Sequence, residues 1–348
     1  MYIVGGTFDS NGGKPSYMVN EIYKAIRNEG PIVHCENGGT IKDLERCLLN
    51  TSGYDIVLWM PNVLEDVPKM RNVKAQNPRC MLIGTKRNNG EYLFGEVVTR
   101  ALEQKLNLCI EFTKVEGKSG RKMTILDPLG NTFYEGFDIP EMVNVLLKRV
   151  FFLKQMHRMG SVKVGQIDMP ELDERFLMEV KKYAETFHNL IQAQTTRFLG
   201  NCSTRCMRGF PSQRVDDLVY VSRRNVDKRY IDKDAFVPCK LEDGKVHYYN
   251  DNKPSVDTPI QLALYEKLPN INYMIHSHCY IKDAPFTKQV IPCGALEEIE
   301  EIMDTIKDTQ TEYHVVNLLG HGSTIMCKYP EQLKNINYIP RIFPERQI

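Results

Sequence analysis

Three histidines dominate the chemistry this chain can carry. His276 and His278 are separated by one residue in Ile275-His276-Ser277-His278, and Gly320-His321-Gly322 follows 43 positions after the second of them. The residues ahead of the pair, Asn272-Tyr273-Met274-Ile275, predict a strand, on which alternate side chains share a face, so His276 and His278 should project together. His321 follows a second apolar run, Val315-Val316-Asn317-Leu318-Leu319, and its flanking glycines allow a sharp turn at the end of that strand. Three imidazoles on one metal leave an open coordination position, as catalytic zinc requires. An isolated His-x-His is commonly incidental; the third histidine moves the reading to a centre for Zn2+ or another divalent metal. Such an ion keeps its positive charge in a neutral shell, so it can polarise a carbonyl or hydroxyl and stabilise an enediolate-like intermediate.

That chemistry also needs a proton carrier and something to hold the substrate. Asp257 lies 19 residues ahead of His276, in a proline-bounded loop before a helix expected over residues 258–268. By position alone it is an N-cap; as a carboxylate it is also a candidate acid/base, and one role does not exclude the other. From Arg197 to Arg229 there are eight cations (Arg197, Arg205, Arg208, Arg214, Arg223, Arg224, Lys228, Arg229) against three acids, Asp216, Asp217 and Asp227. This run is either a solvated basic face or part of an anion pocket.

Composition bounds the setting. A chain of 348 residues is long enough for two domains, and 42% hydrophobic with 26% charged residues is ordinary globular protein. A net charge of +1 gives no reason to invoke nucleic acid or an anionic membrane. No stretch approaches the roughly 20 apolar residues of a membrane span, and Met1-Tyr2-Ile3-Val4 shows no signal-peptide pattern, so a cytoplasmic protein is expected. Ten cysteines without a Cys-x-x-Cys pair read as reduced thiols.

The first half alternates strands and helices. Strands are expected at residues 2–4, 31–35, 54–60 and 80–85, helices at 18–26, 40–49 and 92–106, then a hairpin around Asp127-Pro128-Leu129-Gly130 and a closing helix over 139–155. This is the pattern of an open, mostly parallel, Rossmann-like α/β sheet over residues 1–158. Its first turn, with Gly5, Gly6, Gly12, Gly13 and Lys14, is a candidate phosphate cradle, although neither Gly-x-Gly-x-x-Gly nor a P-loop is present. Glu36, past the second strand, is placed to meet a ribose hydroxyl. The alternative is a plain structural turn. Residues 160–166 read as a seam, and a helix over 170–194 opens the second domain, 165–348.

From residue 171 to about 335 the chain resembles the class II aldolase/adducin family, whose enzymes include fuculose-phosphate aldolase-like and ribulose-phosphate 4-epimerase-like members. The resemblance rests on Gly200-Asn201-Cys202-Ser203, Val219-Tyr220-Val221-Ser222, Lys253-Pro254-Ser255-Val256-Asp257, the His-x-His pair and His321-Gly322, in that order. It implies an α/β/α domain and a zinc-dependent lyase that cleaves a phosphorylated sugar by a retro-aldol reaction. By the same resemblance His276, His278 and His321 hold the metal, and Asp257 is the acid/base. Asn201 and Ser255 then belong to the phosphate pocket, together with Ser222, Arg224 and Asn225 from the neighbouring loop, and the protein is a homo-oligomer, a tetramer in many members. Two features depart from the pattern. The family's Thr-Pro-Ser/Thr-Gly loop reads Ser222-Arg223-Arg224-Asn225, with Asn225 where a left-handed backbone is needed. Only 27 residues follow His321, where the enzymes place a tyrosine for a second proton transfer; Tyr338 is a candidate for it. Epimerisation or dehydration of a sugar phosphate, and a non-catalytic adducin-like or nucleotide-binding scaffold, are the alternatives.

Overall fold

The computed structural model describes residues 1–5, 16–50, 56–60, 67–77, 80–190, 198–207, 210–214 and 218–341. The described residues of Met1–Lys154 form one compact unit and those from Gln155 onward a second.

The first unit contains β1 (Tyr2–Gly5), α1 (Tyr17–Asn28), β2 (His34–Asn37), α2 (Ile41–Asn50), β3 (Ile56–Met60), α3 (Val67–Gln76), β4 (Met81–Asn88), α4 (Phe94–Glu103), β5 (Leu108–Lys114), β6 (Arg121–Leu126), β7 (Thr132–Gly136) and α5 (Ile139–Gln155). Its sheet runs β2-β1-β3-β4-β5-β6-β7, parallel from β2 to β5 and antiparallel beyond. Helix α1 starts where Ser16 Oγ accepts from Val19 N at 3.3 Å, and its stripe Val19, Ile22 and Ile26 is buried. α1 and α5 cover the sheet face of Ile3, Leu58, Ile83 and Ile110. α2, α3 and α4 supply Leu44, Val73 and Val98 to the opposite face, against Val57, Trp59 and Leu82. The α/β class is as expected. The sequence pattern does not predict α3 or β5, and it ends β4 three residues early: β4 continues through Lys86 and Asn88, which are buried.

The second unit contains β8 (Ser161–Gly165), α6 (Glu174–Leu190), β9 (Asn201–Thr204), β10 (Cys206–Met207), β11 (Phe210–Arg214), β12 (Val219–Ser222), β13 (Phe236–Glu242), β14 (Lys245–Tyr249), α7 (Thr258–Lys267), β15 (Tyr273–Ser277), β16 (Tyr280–Ile281), α8 (Glu297–Thr305), β17 (Tyr313–Leu318), β18 (Gly322–Cys327) and β19 (Tyr338–Ile339). Its large sheet has the order β17-β18-β15-β9-β12-β13-β14-β8, antiparallel except for the last pair. The segment read as a seam is therefore an edge strand of this sheet. α6 packs Phe176, Val180 and Phe187 on one face with Tyr273, Ile275 and Ile325. α7 and α8 pack Leu264, Ile299 and Ile302 on the other with Met274, Val221 and Met326. Alternation along β15 places His276 on the same face as Met274, toward α7 and α8. No described helix is long and apolar enough to cross a membrane.

Candidate metal centre

β15 lies between β18 and β9, with His276 opposite Thr324 on one side and Asn201 on the other. The strand ends at Ser277, so His278 follows it rather than lying within it. His321 occupies the turn between β17 and β18, where its N–H donates to Leu318 O at 2.9 Å. Gly320 has φ 70° and Gly322 φ 157°, conformations that disfavour a side chain. A methyl group on Gly322 would also overlap the carbonyl of Ser277. The tight turn thus lays His321 directly against the end of the His-x-His strand.

The candidate ligand atoms of His276, His278 and His321 lie within 4.8 Å of one another, and ring centroids are 4.7 to 5.2 Å apart. All three residues are buried. His276 Nδ1 donates to Ser323 O at 3.0 Å, which leaves Nε2 as the nitrogen with a lone pair. That Nε2 and His278 Nδ1 are buried with no hydrogen-bond partner among the described residues. His321 Nδ1 lies 2.7 Å from Glu298 Oε1, a carboxylate that fixes the tautomer and turns Nε2 toward the centre. Burial lowers His276 to about 4, helped by His321 and partly offset by the Asp257 carboxylate; burial and the two other histidines lower His278 well below the ordinary range. Both imidazoles are held neutral, as metal ligation requires. His321 goes the other way: burial lowers it, but Cys293 and Glu298 together raise it well above its ordinary value. Buried nitrogens without partners, neutral rings and a carboxylate behind one of them fit a divalent ion.

Asp257 stands at the N-cap position of α7, yet its side chain makes no cap hydrogen bond. Its Oδ2 accepts from Asn201 Nδ2 at 3.0 Å, while Oδ1 is buried without a partner among the described residues. The same Asn201 nitrogen donates to Ser255 Oγ at 3.1 Å, and Gln261 Nε2 donates to Asn201 Oδ1. Because Asn201 on β9 pairs with His276 on β15, this amide ties the carboxylate to the strand beside the one that carries the histidine.

Ser255 N donates to Ser222 O at 3.2 Å and Arg224 N to Lys253 O at 3.0 Å, so the 222–225 and 253–257 loops run side by side. Ser222 Oγ is buried and accepts from Cys202 N at 3.1 Å. Arg224 is exposed, with Nε donating to Pro254 O at 2.9 Å. Asn225 adopts φ 58°, the left-handed conformation expected of it, and its Oδ1 accepts from Phe198 N. The basic run is less available than its composition suggests. Arg205 donates to the carbonyls of Tyr265, Leu268 and Pro269, Lys228 to that of Leu199, and Arg229 pairs with Asp227.

Gly5 and Glu36 belong to the first unit and Tyr338 to the second. Gly5 ends β1 against Val19, while Gly6, Gly12, Gly13 and Lys14 lie outside the described residues. Glu36 is ion-paired with Arg46 at 2.6 Å. Tyr338 is a core residue whose ring meets Tyr183 and Phe187 edge-on, and its buried hydroxyl has no partner among the described residues. Sequence reasoning missed Glu298, Gln261 and Cys293, none of which stands in a recognisable motif.

Residues 181–281 match the family model described as Class II Aldolase and Adducin N-terminal domain. The match includes Asn201, Asp257, His276 and His278; Cys293, Glu298 and His321 lie beyond it. No curated protein matches the chain. Among solved structures the chain is distantly similar to L-fuculose 1-phosphate aldolase, at 16% identity and a TM-score of 0.34 over 47% of this chain and 82% of that one. YgbL of Escherichia coli, a putative aldolase/epimerase/decarboxylase, matches at 14% identity and a TM-score of 0.32, over 48% of this chain and 93% of that one. The DNA/pantothenate metabolism flavoprotein of Streptococcus pneumoniae matches at 12% identity and a TM-score of 0.34, over 44% of this chain and 98% of that one.

Proposed function

We propose that the second unit of this chain, whose residues 181–281 match the class II aldolase and adducin family model, is a metal-dependent lyase that cleaves a carbon–carbon bond of a phosphorylated sugar. His276, His278 and His321 would hold Zn2+ or another divalent ion. When bound, the ion polarises a substrate oxygen and stabilises the negative charge that develops as the neighbouring bond breaks. Proton movement falls to Asp257. Asn201 anchors one of its oxygens, and the other, Oδ1, is left to take a proton from the substrate and return it. Asn201 and Ser255 line the substrate side of the same network. The exposed Arg224 beside them, with Ser222 and Asn225 shaping its loop, offers a guanidinium to the substrate anion. Assembly into a homo-oligomer and a cytoplasmic setting belong to this reading.

The observation that carries it is the set of three buried imidazoles whose candidate ligand atoms lie within 4.8 Å of one another, with His276 Nε2 and His278 Nδ1 buried without a partner among the described residues. The test is metal content by mass spectrometry of protein purified without chelator, followed by a screen of phosphorylated sugars for aldehyde release. A stoichiometric divalent ion that disappears in His278→Ala, together with cleavage of a sugar phosphate, supports the proposal. Products of unchanged mass, or of mass lowered by one water, would mark an epimerase or a dehydratase. A wild type that stays empty after zinc addition overturns it in favour of a scaffold.

A further inference from the structure

We propose that Cys293 is a fourth and displaceable metal ligand, its thiolate closing the coordination shell of an ion held by His276, His278 and His321 until an oxygen-donor ligand takes its place. This rests on the metal reading above and adds to it a residue outside the matched family segment.

Glu298 occupies Nδ1 of His321, so Nε2 is the nitrogen that can meet a metal, and Cys293 Sγ lies 3.0 Å from that atom. Zinc holds nitrogen at about 2.0–2.1 Å and sulfur at about 2.3 Å, so tetrahedral ligands of the two kinds stand about 3.6 Å apart. At 3.0 Å the sulfur now meets His321 Nε2 in a hydrogen bond, closer than two ligands of one ion would stand. It is not one of the three groups clustered within 4.8 Å, so reaching the ion requires the thiol to move toward His276 and His278. Those two residues provide the independent sign of a ligand: they are 5% and 7% exposed, and each has a buried nitrogen without a partner among the described residues.

The local chain suits a ligand that comes and goes. Cys293 sits in the turn closed by Ala295 N donating to Pro292 O at 3.1 Å, immediately before the helix that carries Glu298. One short segment therefore grips His321 at both ring nitrogens. Gly294 has φ 73°, and a side chain there would press its first carbon to 3.1 Å from the carbonyl of Val256, so the turn rests on the loop that presents Asp257. Cys202, Cys239, Cys279 and Cys327 are buried, whereas Cys293 is only half-buried and can swing outward. On coordination the S–H bond breaks, its proton leaves to solvent and a sulfur–metal bond forms; nothing is oxidised or reduced. A thiolate in the shell also favours zinc or cobalt over magnesium.

The test uses the full chain loaded with Co2+. Visible ligand-field bands report the histidine-bound ion, and a near-ultraviolet charge-transfer band reports a thiolate on it. We expect both in the wild type, and only the visible bands in Cys293→Ser and Cys293→Ala, with circular dichroism verifying the fold of each. Acetohydroxamate, a bidentate oxygen donor, should shift the visible bands and abolish the charge-transfer band. Visible bands without charge transfer, a charge-transfer band that survives both substitutions, or acetohydroxamate binding that leaves it intact would overturn the proposal while the metal site stands. Absence of the visible bands would overturn both.

Discussion

Glu298 Oε1 lies 2.7 Å from His321 Nδ1, and the two side chains are only 4% and 1% exposed. A carboxylate so deeply buried is costly unless it is paired, and burial raises its pKa while the adjacent imidazole works against the rise. The pair keeps His321 Nε2 aimed at the cluster and raises its basicity as a ligand. Removing the carboxylate should therefore weaken metal binding without removing a ligand. Glu298→Ala is expected to lower zinc affinity by about 10–100-fold in a competition titration against a chelating dye. Glu298→Gln, whose amide oxygen still accepts from Nδ1, should lose less. Equal affinity in all three proteins would rule out this role.

Asp257 and Asn201 separate chemistry from metal binding. With one carboxylate oxygen tied to Asn201 and the other without a partner among the described residues, Asp257→Asn keeps the shape of the loop and removes the proton carrier. Metal content should stay at the wild-type level while turnover of the sugar phosphate falls by about 10²–10⁴-fold. Asn201→Ala should also slow turnover, through a carboxylate no longer held in place. Steady-state kinetics beside metal analysis decide this. A metal-free Asp257→Asn protein would show that the carboxylate serves the ion rather than the proton.

Much of this arrangement was legible because its parts obey short-range rules. His-x-His on an apolar strand and a histidine between glycines at a strand end are local patterns, and β15 and the β17–β18 turn follow them. Asn225 took the left-handed conformation because asparagine tolerates it. What stayed hidden depends on distant chain. Glu298 follows Glu297 in a helix start that looks merely solvated, and only the docking of α8 on the sheet brings it to His321, 23 residues away. Cys293 gives no signal apart from that same docking. Strand β5 was missed because the buried Glu111 interrupts its apolar run, with Asn88 Nδ2 donating to it at 2.7 Å. β8 read as linker because it is short and only Val162 and Val164 in it are apolar, both of them exposed. In the basic run, Arg205 and Lys228 count as charge in the sequence but are spent on backbone carbonyls in the fold.

Gly322 tests whether the turn carries the centre. Its φ of 157° and its closeness to the Ser277 carbonyl leave no space for a side chain where the hairpin meets the His-x-His strand. Gly322→Ala must push the two apart, displacing His321 from His276 and His278. The expected cost is about 2 kcal/mol or more of unfolding free energy, together with loss of the bound metal. Denaturant unfolding of chelator-treated protein gives the first and metal analysis the second. The alanine protein unfolding at the wild-type midpoint with its metal retained would mean that the turn adjusts freely.

The neutral histidines make the metal-free protein sensitive to acid. His276 is lowered to about 4 by burial, reinforced by His321, against about 6.5 in an unfolded chain. Between these values the unfolded state binds the proton and the native state does not, so unfolding becomes easier as pH falls. The stability linked to His276 is present above pH 6.5 and is lost as pH drops toward 4, amounting to about 3 kcal/mol at the full difference. His321 has the opposite sign: its raised pKa gives stability that is present below 6.5 and is lost as pH rises through the raised value. Comparison with His276→Gln isolates the first effect, since that variant keeps His278 and His321 and loses only the imidazole of His276. In chelator-treated protein, Tm should fall more steeply between pH 6.5 and 4 for the wild type than for His276→Gln. Bound zinc, which competes with protons for the same nitrogen, should delay the wild-type decline to lower pH. Parallel curves for the two metal-free proteins would mean that His276 is not held neutral by the fold.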